Sequence, residues 1–417
     1  VSEVLLIDRS DLPVARAWSE TFVAQGVRAE YHSLPGFVEM MMTAPHLGAT
    51  SEEMLARTRE WLSCLPGVAR GGGSSRVRPY AQSEPKAPAP RLELPGTDAS
   101  PHSALAERPI FLDPDAGTLF GIVTEPHADE GRRRAVIFLN TGADHHIGAS
   151  RMYVSLARSW ARSGYHVLRM DLAGLGDSPA RLGRPDNEVF PRDAMSDIHC
   201  AVEYMRARHQ CGEVTLVGLC SGAYHAFRAA AVGLAVNRIL MVNPETFYWP
   251  EGASVRDIQL ADLVRTPAVY RERALSLANW RRLLIGQVDV TYIGKMLLRR
   301  LLFTVQFLWR DLVRLVGLRP SQDLGHEFER ITARGVHMVM VFAKGEPGIE
   351  VLRLEAGSAV RRLRDRLRVR IIDSGDHTFS RSGARQVLEG VLSEELFASP
   401  ATRVSPQVAR SDELRSA

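Results

Sequence analysis

The sequence predicts an α/β chain built on a mostly parallel, doubly wound sheet. Three observations carry that prediction. From residue 106 to 398 short apolar, β-rich runs alternate with helical stretches. Several of the runs, Ala135–Leu139 first among them, are continuously apolar, as in strands covered on both faces. Polar, glycine-bearing loops follow them, and one is the tight Gly218-Leu-Cys-Ser-Gly222 between a strand and a small-residue helix.

Pro109–Leu112 and Thr118–Val123 read as a leading antiparallel hairpin, with Asp113–Gly117 as its turn. Ala135–Leu139 is a buried strand, followed by the loop Asn140-Thr-Gly-Ala-Asp-His-His-Ile-Gly148. Met152–Ser163 is a helix that Gly164 stops. Tyr165–Met170 is a strand that ends in Asp171-Leu-Ala-Gly-Leu-Gly-Asp-Ser178. Arg192–Arg208 is a helix, Val214–Val217 a strand, Ser221–Val232 a helix and Arg238–Val242 a strand. Residues 244–332 break the rhythm with helical, Arg-rich and apolar segments, and an insertion of that length reads as a helical cap over the functional face. The core resumes with strand Val336–Ala343, helix Glu350–Leu367, strand Val369–Ile372 and closing helix Ala384–Leu392.

The flanks differ. Residues 1–67 read as a partial β-α-β-α unit: strand Val4–Ile7, helix Pro13–Gln25, strand Val27–Ser33 and helix Ser51–Leu65 with Ser51 as N-cap. Two strands and two helices cannot bury a normal core. Residues 68–105, with Gly71-Gly-Gly-Ser-Ser and Ser83-Glu-Pro-Lys-Ala-Pro-Ala-Pro, read as a flexible linker. The polar residues 399–417 read as a disordered tail.

Composition narrows the function. The chain has 417 residues, 45% hydrophobic, with a net charge of +4. That mild excess implies no nucleic-acid partner, and no nucleic-acid motif is present. There is no phosphate-binding P-loop and no G-x-G-x-x-G, so no nucleotide cofactor is expected. Cys64, Cys200, Cys211 and Cys220 form no C-x-x-C pair and no His/Cys cluster of zinc spacing, so no metal is expected. So few cysteines fit a reducing cytoplasm. No run of about 18 uncharged apolar residues predicts a membrane span. The Arg-flanked apolar load of the cap allows peripheral membrane contact, or an acyl pocket with a polar mouth.

The chemistry centres on Cys220. Gly218 and Gly222 flank it two residues to either side, where so tight a turn tolerates no bulk. Such an elbow lifts Cys220 above the sheet edge, and the following N–H, of Ser221, points to the same place at a helix N-terminus. Ser221 is the alternative nucleophile, one residue out of the glycine register. Acyl transfer also needs a base and a group that orients it. Cys220…Glu346…His377 supply nucleophile, acid and histidine in that chain order, each just after a predicted strand.

These motifs resemble the α/β-hydrolase family, in particular its serine aminopeptidase-like branch, over residues 106–398. Leu139-Asn-Thr-Gly is similar to the family's oxyanion loop, and Asp171-Leu-Ala-Gly-Leu-Gly-Asp-Ser to its D-x-x-G-x-G-x-S turn. Gly218-Leu-Cys-Ser-Gly resembles its elbow, Gly345-Glu-Pro its acid loop and Gly375-Asp-His its histidine loop. The resemblance extends to hydrolases of exopolysaccharide gene clusters. Two departures stand out: Cys220 where most relatives carry Ser, as in dienelactone-hydrolase-like members, and Glu346 where Asp is usual. The resemblance implies that the N–H groups of Ser221 and of Gly142 or Ala143 hold the oxyanion.

The resemblance implies a hydrolase that works through an acyl-enzyme, and a Cys220 thiolate, which leaves a tetrahedral intermediate more readily than an amine, favours a small-molecule ester or thioester substrate, free or carrier-bound. The alternatives are an acyltransferase on the same fold or a non-catalytic binding module. Residues 1–67 are similar to the last part of such a domain, with Asp11 and His46 standing where its acid and histidine loops would be. Both read as surface loop residues. Asp376 reads as a neighbour of His377 rather than its partner, Asp171 and Asp177 as turn formers, and His225, Cys200 and Cys211 as structural. His145 and His146 read either as substrate-positioning or as solvated loop residues.

Overall fold

A computed structural model describes residues 3–10, 15–37, 40, 50–65, 91–94, 104–113, 118–126, 133–249 and 323–398. It divides into two compact units, residues 1–89 and 90–417.

In the first unit β1 (Glu3–Arg9) and β2 (Arg28–Leu34) pair in parallel, with Glu3 opposite Arg28. Its described helices are α1 (Arg16–Ala24) and α2 (Glu52–Cys64). Ser51 Oγ caps α2 by accepting from the Met54 N–H. Among the described hydrophobic residues of this unit Met54 alone is buried. The buried Asp8 carboxylate accepts from the N–H groups of Arg9 and Ala15 and from the Tyr31 hydroxyl. Asp11 and His46 lie outside the described residues.

The second unit contains one nine-stranded sheet. Its first three strands, β3 (Leu92–Leu94), β4 (Leu105–Leu112) and β5 (Leu119–Pro126), run antiparallel to their neighbours. Then follow β6 (Arg134–Leu139), β7 (Tyr165–Met170), β8 (Glu213–Leu219), β9 (Arg238–Val242), β10 (His337–Ala343) and β11 (Leu367–Ile372), mutually parallel. The spatial order is β11-β10-β9-β8-β6-β7-β5-β4-β3. Adjacent β6 and β7 are reversed in that order, so the chain winds both ways from β6.

Helices cover both faces. Ala135, Ile137 and Leu139 of β6 point into one core, with residues of α4 (Ala194–His209), α5 (Ser221–Val232), α6 (Leu324–Ala333) and α7 (Pro347–Arg362). Val136 and Phe138 point into the other, with α3 (Met152–Arg162) and α8 (Ser382–Phe397). This alternation of side chains explains why the strand reads as continuously apolar.

Several boundaries differ from the sequence reading. β3 lies inside the expected linker, because Leu92–Leu94 extends the sheet edge by pairing with Leu105–Glu107. α7 begins at Pro347 rather than Glu350, since Pro suits the first helical position, and it ends at Arg362. Leu367 belongs instead to β11, opposite Met338. Part of the expected cap belongs to the core: Leu324, Phe328 and Ile331 of α6 are fully buried, and the Phe247 ring packs edge-on against Phe227 and Phe328. Residues 250–322 of the expected cap and the expected tail 399–417 lie outside the described residues.

Candidate active site

The loops that bear Cys220, Glu346 and His377 each leave the carboxyl end of a parallel strand, the edge where open α/β sheets bind ligands. The loop after β8 is the tightest. Cys220 has φ 57° and ψ −114°. This is the first central position of a type II′ turn, which glycine normally takes. A non-glycine residue held there stores backbone strain, as functional positions often do. The Cys220 N–H donates to the Val242 carbonyl at 2.9 Å, so the strained residue is tied to the neighbouring strand.

The flanking glycines are required by contact. A Cβ on Gly218 would lie 2.1 Å from the carbonyl carbon of Gly222. A Cβ on Gly222 would lie 2.7 Å from the Asn140 carbonyl oxygen. Helix α5 therefore starts directly over the strand end and against the loop after β6. The Ser221 N–H belongs to its first turn, where N–H groups lack an intrahelical acceptor and the helix dipole is positive.

His377 stands opposite. Its Nδ1 is 2.8 Å from Glu346 Oε2 and 3.7 Å from Glu245 Oε1. Cys220 Sγ, a Glu245 carboxylate oxygen and a His377 ring nitrogen lie within 4.8 Å of one another. Burial alone would lower the His377 pKa, but the Cys220 side chain, Glu346 and Glu245 outweigh it and raise it to about 11. The arrangement thus favours an imidazolium beside a sulfur.

The frame around these groups is built from backbone constraints. Glu346 is the residue before Pro347, at the N-terminus of α7. A Cβ on Gly348 would lie 2.0 Å from the Pro244 carbonyl oxygen, so the acid loop and the loop after β9 touch backbone to backbone. Asn243 (φ 43°) donates through Nδ2 to the His377 carbonyl at 2.7 Å and accepts the Ala343 N–H at 2.8 Å. One side chain therefore joins the loops after β9, β10 and β11. The buried Tyr153 hydroxyl accepts from the Leu219 N–H and pairs with Thr141 Oγ1; burial pushes its pKa up to about 12, so it stays protonated.

The structure brings Cys220, Glu346 and His377 together, with Ser221, Gly142 and Ala143 on the adjoining turns. One expectation needs correction. The Gly142 N–H donates to Ser221 Oγ at 2.8 Å and so does not face an open oxyanion position. The physical reason is that the buried Ser221 hydroxyl needs a partner, and Gly142 supplies it. Ser221 Oγ also lies 3.4 Å from the Asn140 carbonyl oxygen. It ties the start of α5 to the loop after β6.

Asp376 accepts from the N–H and hydroxyl of Ser380 and thereby shapes its own loop. The buried His225 makes one bond, to the Val189 carbonyl, and burial lowers its pKa to about 4. Glu245 and Asn243 escape the sequence reading. The available signal is positional: Val242-Asn-Pro-Glu ends a strand at the same sheet edge as every other site residue.

A mostly parallel sheet with an antiparallel leading pair, and a strand–elbow–helix at its carboxyl edge, is the α/β-hydrolase fold. Residues 131–268, about a third of the chain, match the family described as serine aminopeptidase, S33. That segment includes the elbow and ends before Glu346 and His377. Human protein ABHD12B is 31% identical over 118 residues, which cover 27% of this chain and 30% of that protein's length. Among solved structures, an α/β serine hydrolase homologue from Coxiella burnetii is 14% identical, with coverage of 69% and 97% and a TM-score of 0.40. An esterase from Pyrococcus furiosus is 12% identical, with coverage of 70% and 89% and a TM-score of 0.43. A dienelactone hydrolase from Anabaena variabilis is 13% identical, with coverage of 69% and 95% and a TM-score of 0.40.

Proposed function

We propose that this chain hydrolyses an ester or thioester through a Cys220–His377–Glu346 triad and an acyl-enzyme. The observation that carries the reading is the convergence of three strand-end loops: Cys220 in its strained turn, facing a histidine whose Nδ1 is held 2.8 Å from Glu346. The serine aminopeptidase match across the elbow supports hydrolase chemistry in general.

The steps follow from the groups present. Cys220 Sγ, as thiolate, attacks the acyl carbon, and the carbonyl oxygen becomes an oxyanion beside the Ser221 N–H at the start of α5. The His377 imidazolium gives its proton to the departing alkoxide or thiolate. Neutral His377 then takes a proton from water, which attacks the acyl-enzyme and restores the Cys220 thiolate. Glu346 accepts the Nδ1–H throughout, which fixes the tautomer that presents Nε2 to the reaction. A thiolate leaves a tetrahedral intermediate more readily than an amine does, so attack on an amide reverses. Esters and thioesters are therefore the favoured substrates.

Stacked Phe190 and Trp249, with Tyr224 edge-on to Phe190, place aromatic surface one helical turn from Cys220, which suits an acyl chain. The reading places the chain in a reducing compartment, the cytoplasm, on the few cysteines of its sequence and their lack of a C-x-x-C pair. Among the described residues no helix is long and apolar enough to cross a membrane.

The test is intact-protein mass spectrometry with a panel of p-nitrophenyl and N-acetylcysteamine acyl esters. The expected result is an acyl mass increment with chromophore release, absent in Cys220→Ala and not turned over in His377→Ala. A folded protein that acquires no adduct with any chain length would refute the proposal.

A further inference from the structure

On the same sheet edge as the proposed triad, two loops bring four metal-ligating side chains to one point. The loop after β6 supplies His145 and His146, and the loop after β7 supplies Asp171 and Asp177. One ligand atom from each lies within 4.8 Å of the others. His146 Nδ1 is 2.8 Å from Asp171 Oδ2 and 3.7 Å from Asp177 Oδ2. His145 Nδ1 is 3.9 Å from Asp177 Oδ2. A tetrahedral zinc site with bonds of about 2.0–2.2 Å places its ligand atoms about 3.4 Å apart. The observed spacings bracket that value.

Half of the cluster is rigidly built. The Asp171 carboxylate is fully buried and receives Asn140 Nδ2 at 2.7 Å and the Asp177 N–H at 3.0 Å. Asn140 is itself fixed, because its Oδ1 accepts the Leu172 N–H and its Nδ2 also donates to the Asp144 carbonyl. Gly176 (φ +54°) comes so close that a Cβ there would lie 2.3 Å from Asp171 Oδ2. His146 is 11% exposed. Metal-bound carboxylates and imidazoles characteristically have such an outer layer of hydrogen bonds. The other half is adjustable: the side chains of His145 and Asp177 are each 54% exposed, and their ligand atoms are 3.9 Å apart.

Charge points the same way. Among the described residues the ion partners of Asp171 and Asp177 are these two histidines, with no Lys or Arg. Two carboxylates, one of them wholly buried, thus meet two imidazoles, and a divalent cation would complete the balance. Two imidazoles with two carboxylates and no thiolate suit a borderline transition ion such as Zn²⁺ better than Mg²⁺ or Ca²⁺.

We propose that His145, His146, Asp171 and Asp177 form a binding site for a divalent transition ion, with Zn²⁺ as the representative. The ion staples the loop carrying Gly142 and Ala143 to the loop after β7. This site is separate from the proposed acyl chemistry and does not depend on it.

The test is calorimetric titration of tag-free Cys220→Ala protein with ZnCl₂. That background removes the sulfur that could capture zinc with Glu245 and His377. The expected result is one equivalent bound. Affinity should fall about tenfold or more in Asp177→Asn and in His145→Ala, whose exposed side chains can be changed without loss of the fold. Co²⁺ should give a tetrahedral visible spectrum without a thiolate charge-transfer band. Zinc should also raise the melting temperature of the Cys220→Ala protein, and lose that effect when Asp177→Asn is added. Absence of zinc binding, or an affinity in both cluster variants unchanged from that of the Cys220→Ala parent, would overturn the proposal.

Discussion

His377 Nδ1 faces two carboxylates, and distance ranks them. Glu346 at 2.8 Å makes a hydrogen bond; Glu245 at 3.7 Å contributes charge without one. Under the proposed mechanism, Glu346→Gln removes the carboxylate charge and lets an amide N–H face Nδ1, which selects the wrong tautomer, and kcat/KM should fall on the order of 10²–10⁴-fold. Glu245→Gln should cost about tenfold or less, because Glu346 still orients the ring. Steady-state kinetics on a p-nitrophenyl ester distinguish them, and equal losses would mean that the two carboxylates act as one unit. The neighbouring Ser221 admits an equally sharp prediction. Its hydroxyl is engaged with Gly142, so Ser221→Ala should still form the acyl adduct while Cys220→Ala forms none. Mass spectrometry after brief acyl-ester exposure reads both, and the opposite pattern would make Ser221 the nucleophile.

At the scale of the element, the strand–elbow–helix of β8 and α5 is held by absent side chains. A Cβ at Gly218 or Gly222 would collide with backbone, which cannot move without shifting α5. Gly218→Ala and Gly222→Ala should each destabilise by on the order of 3 kcal/mol or prevent folding. Gly212→Ala, at a position with open space and no positive φ, should change stability by less than about 0.5 kcal/mol. Urea denaturation compares the three directly. The same physics explains what the sequence makes legible. A close approach leaves two glycines at fixed spacing, and a strand covered on both faces leaves a run such as Ala135–Leu139, so elbow and sheet can be read as letters. Glu346 and His377 carry the same strand-end signature, with Gly345 and Gly375 before them. Glu245 and Asn243 carry only the strand-end position, with no flanking glycine, because their roles arise only when β9 settles between β8 and β10. The engagement of the Gly142 N–H is equally invisible, since it depends on the side-chain direction of a residue 79 positions away. The edge strand Leu92–Leu94 hides in Pro-rich surroundings because three residues are too few for periodicity to show.

For the sheet-bearing unit as a whole, buried histidines set how stability responds to pH. Burial lowers His225 and His209 to about 4, from an ordinary value of 6.5. The unfolded chain therefore binds more protons between those values, and stability rises with pH across that window. What these residues contribute is present above about 6.5 and lost as pH falls through about 4. His377 has the opposite sign. Its pKa is raised to about 11 by Cys220, Glu346 and Glu245 against the effect of burial. The folded state then binds more protons between 6.5 and about 11, so its contribution is full below 6.5 and fades as pH rises through that range. The two effects together place maximal stability near neutral pH, between two flanks with different owners. Denaturant titrations from pH 4 to pH 10 should show His225→Gln flattening the acid flank by up to about 3 kcal/mol. His377→Gln should flatten the alkaline flank and leave the acid one unchanged. A wild-type alkaline flank that survives His377→Gln would mean that the imidazolium is not stabilised by its neighbours, and the charge arrangement assigned to the site would be wrong.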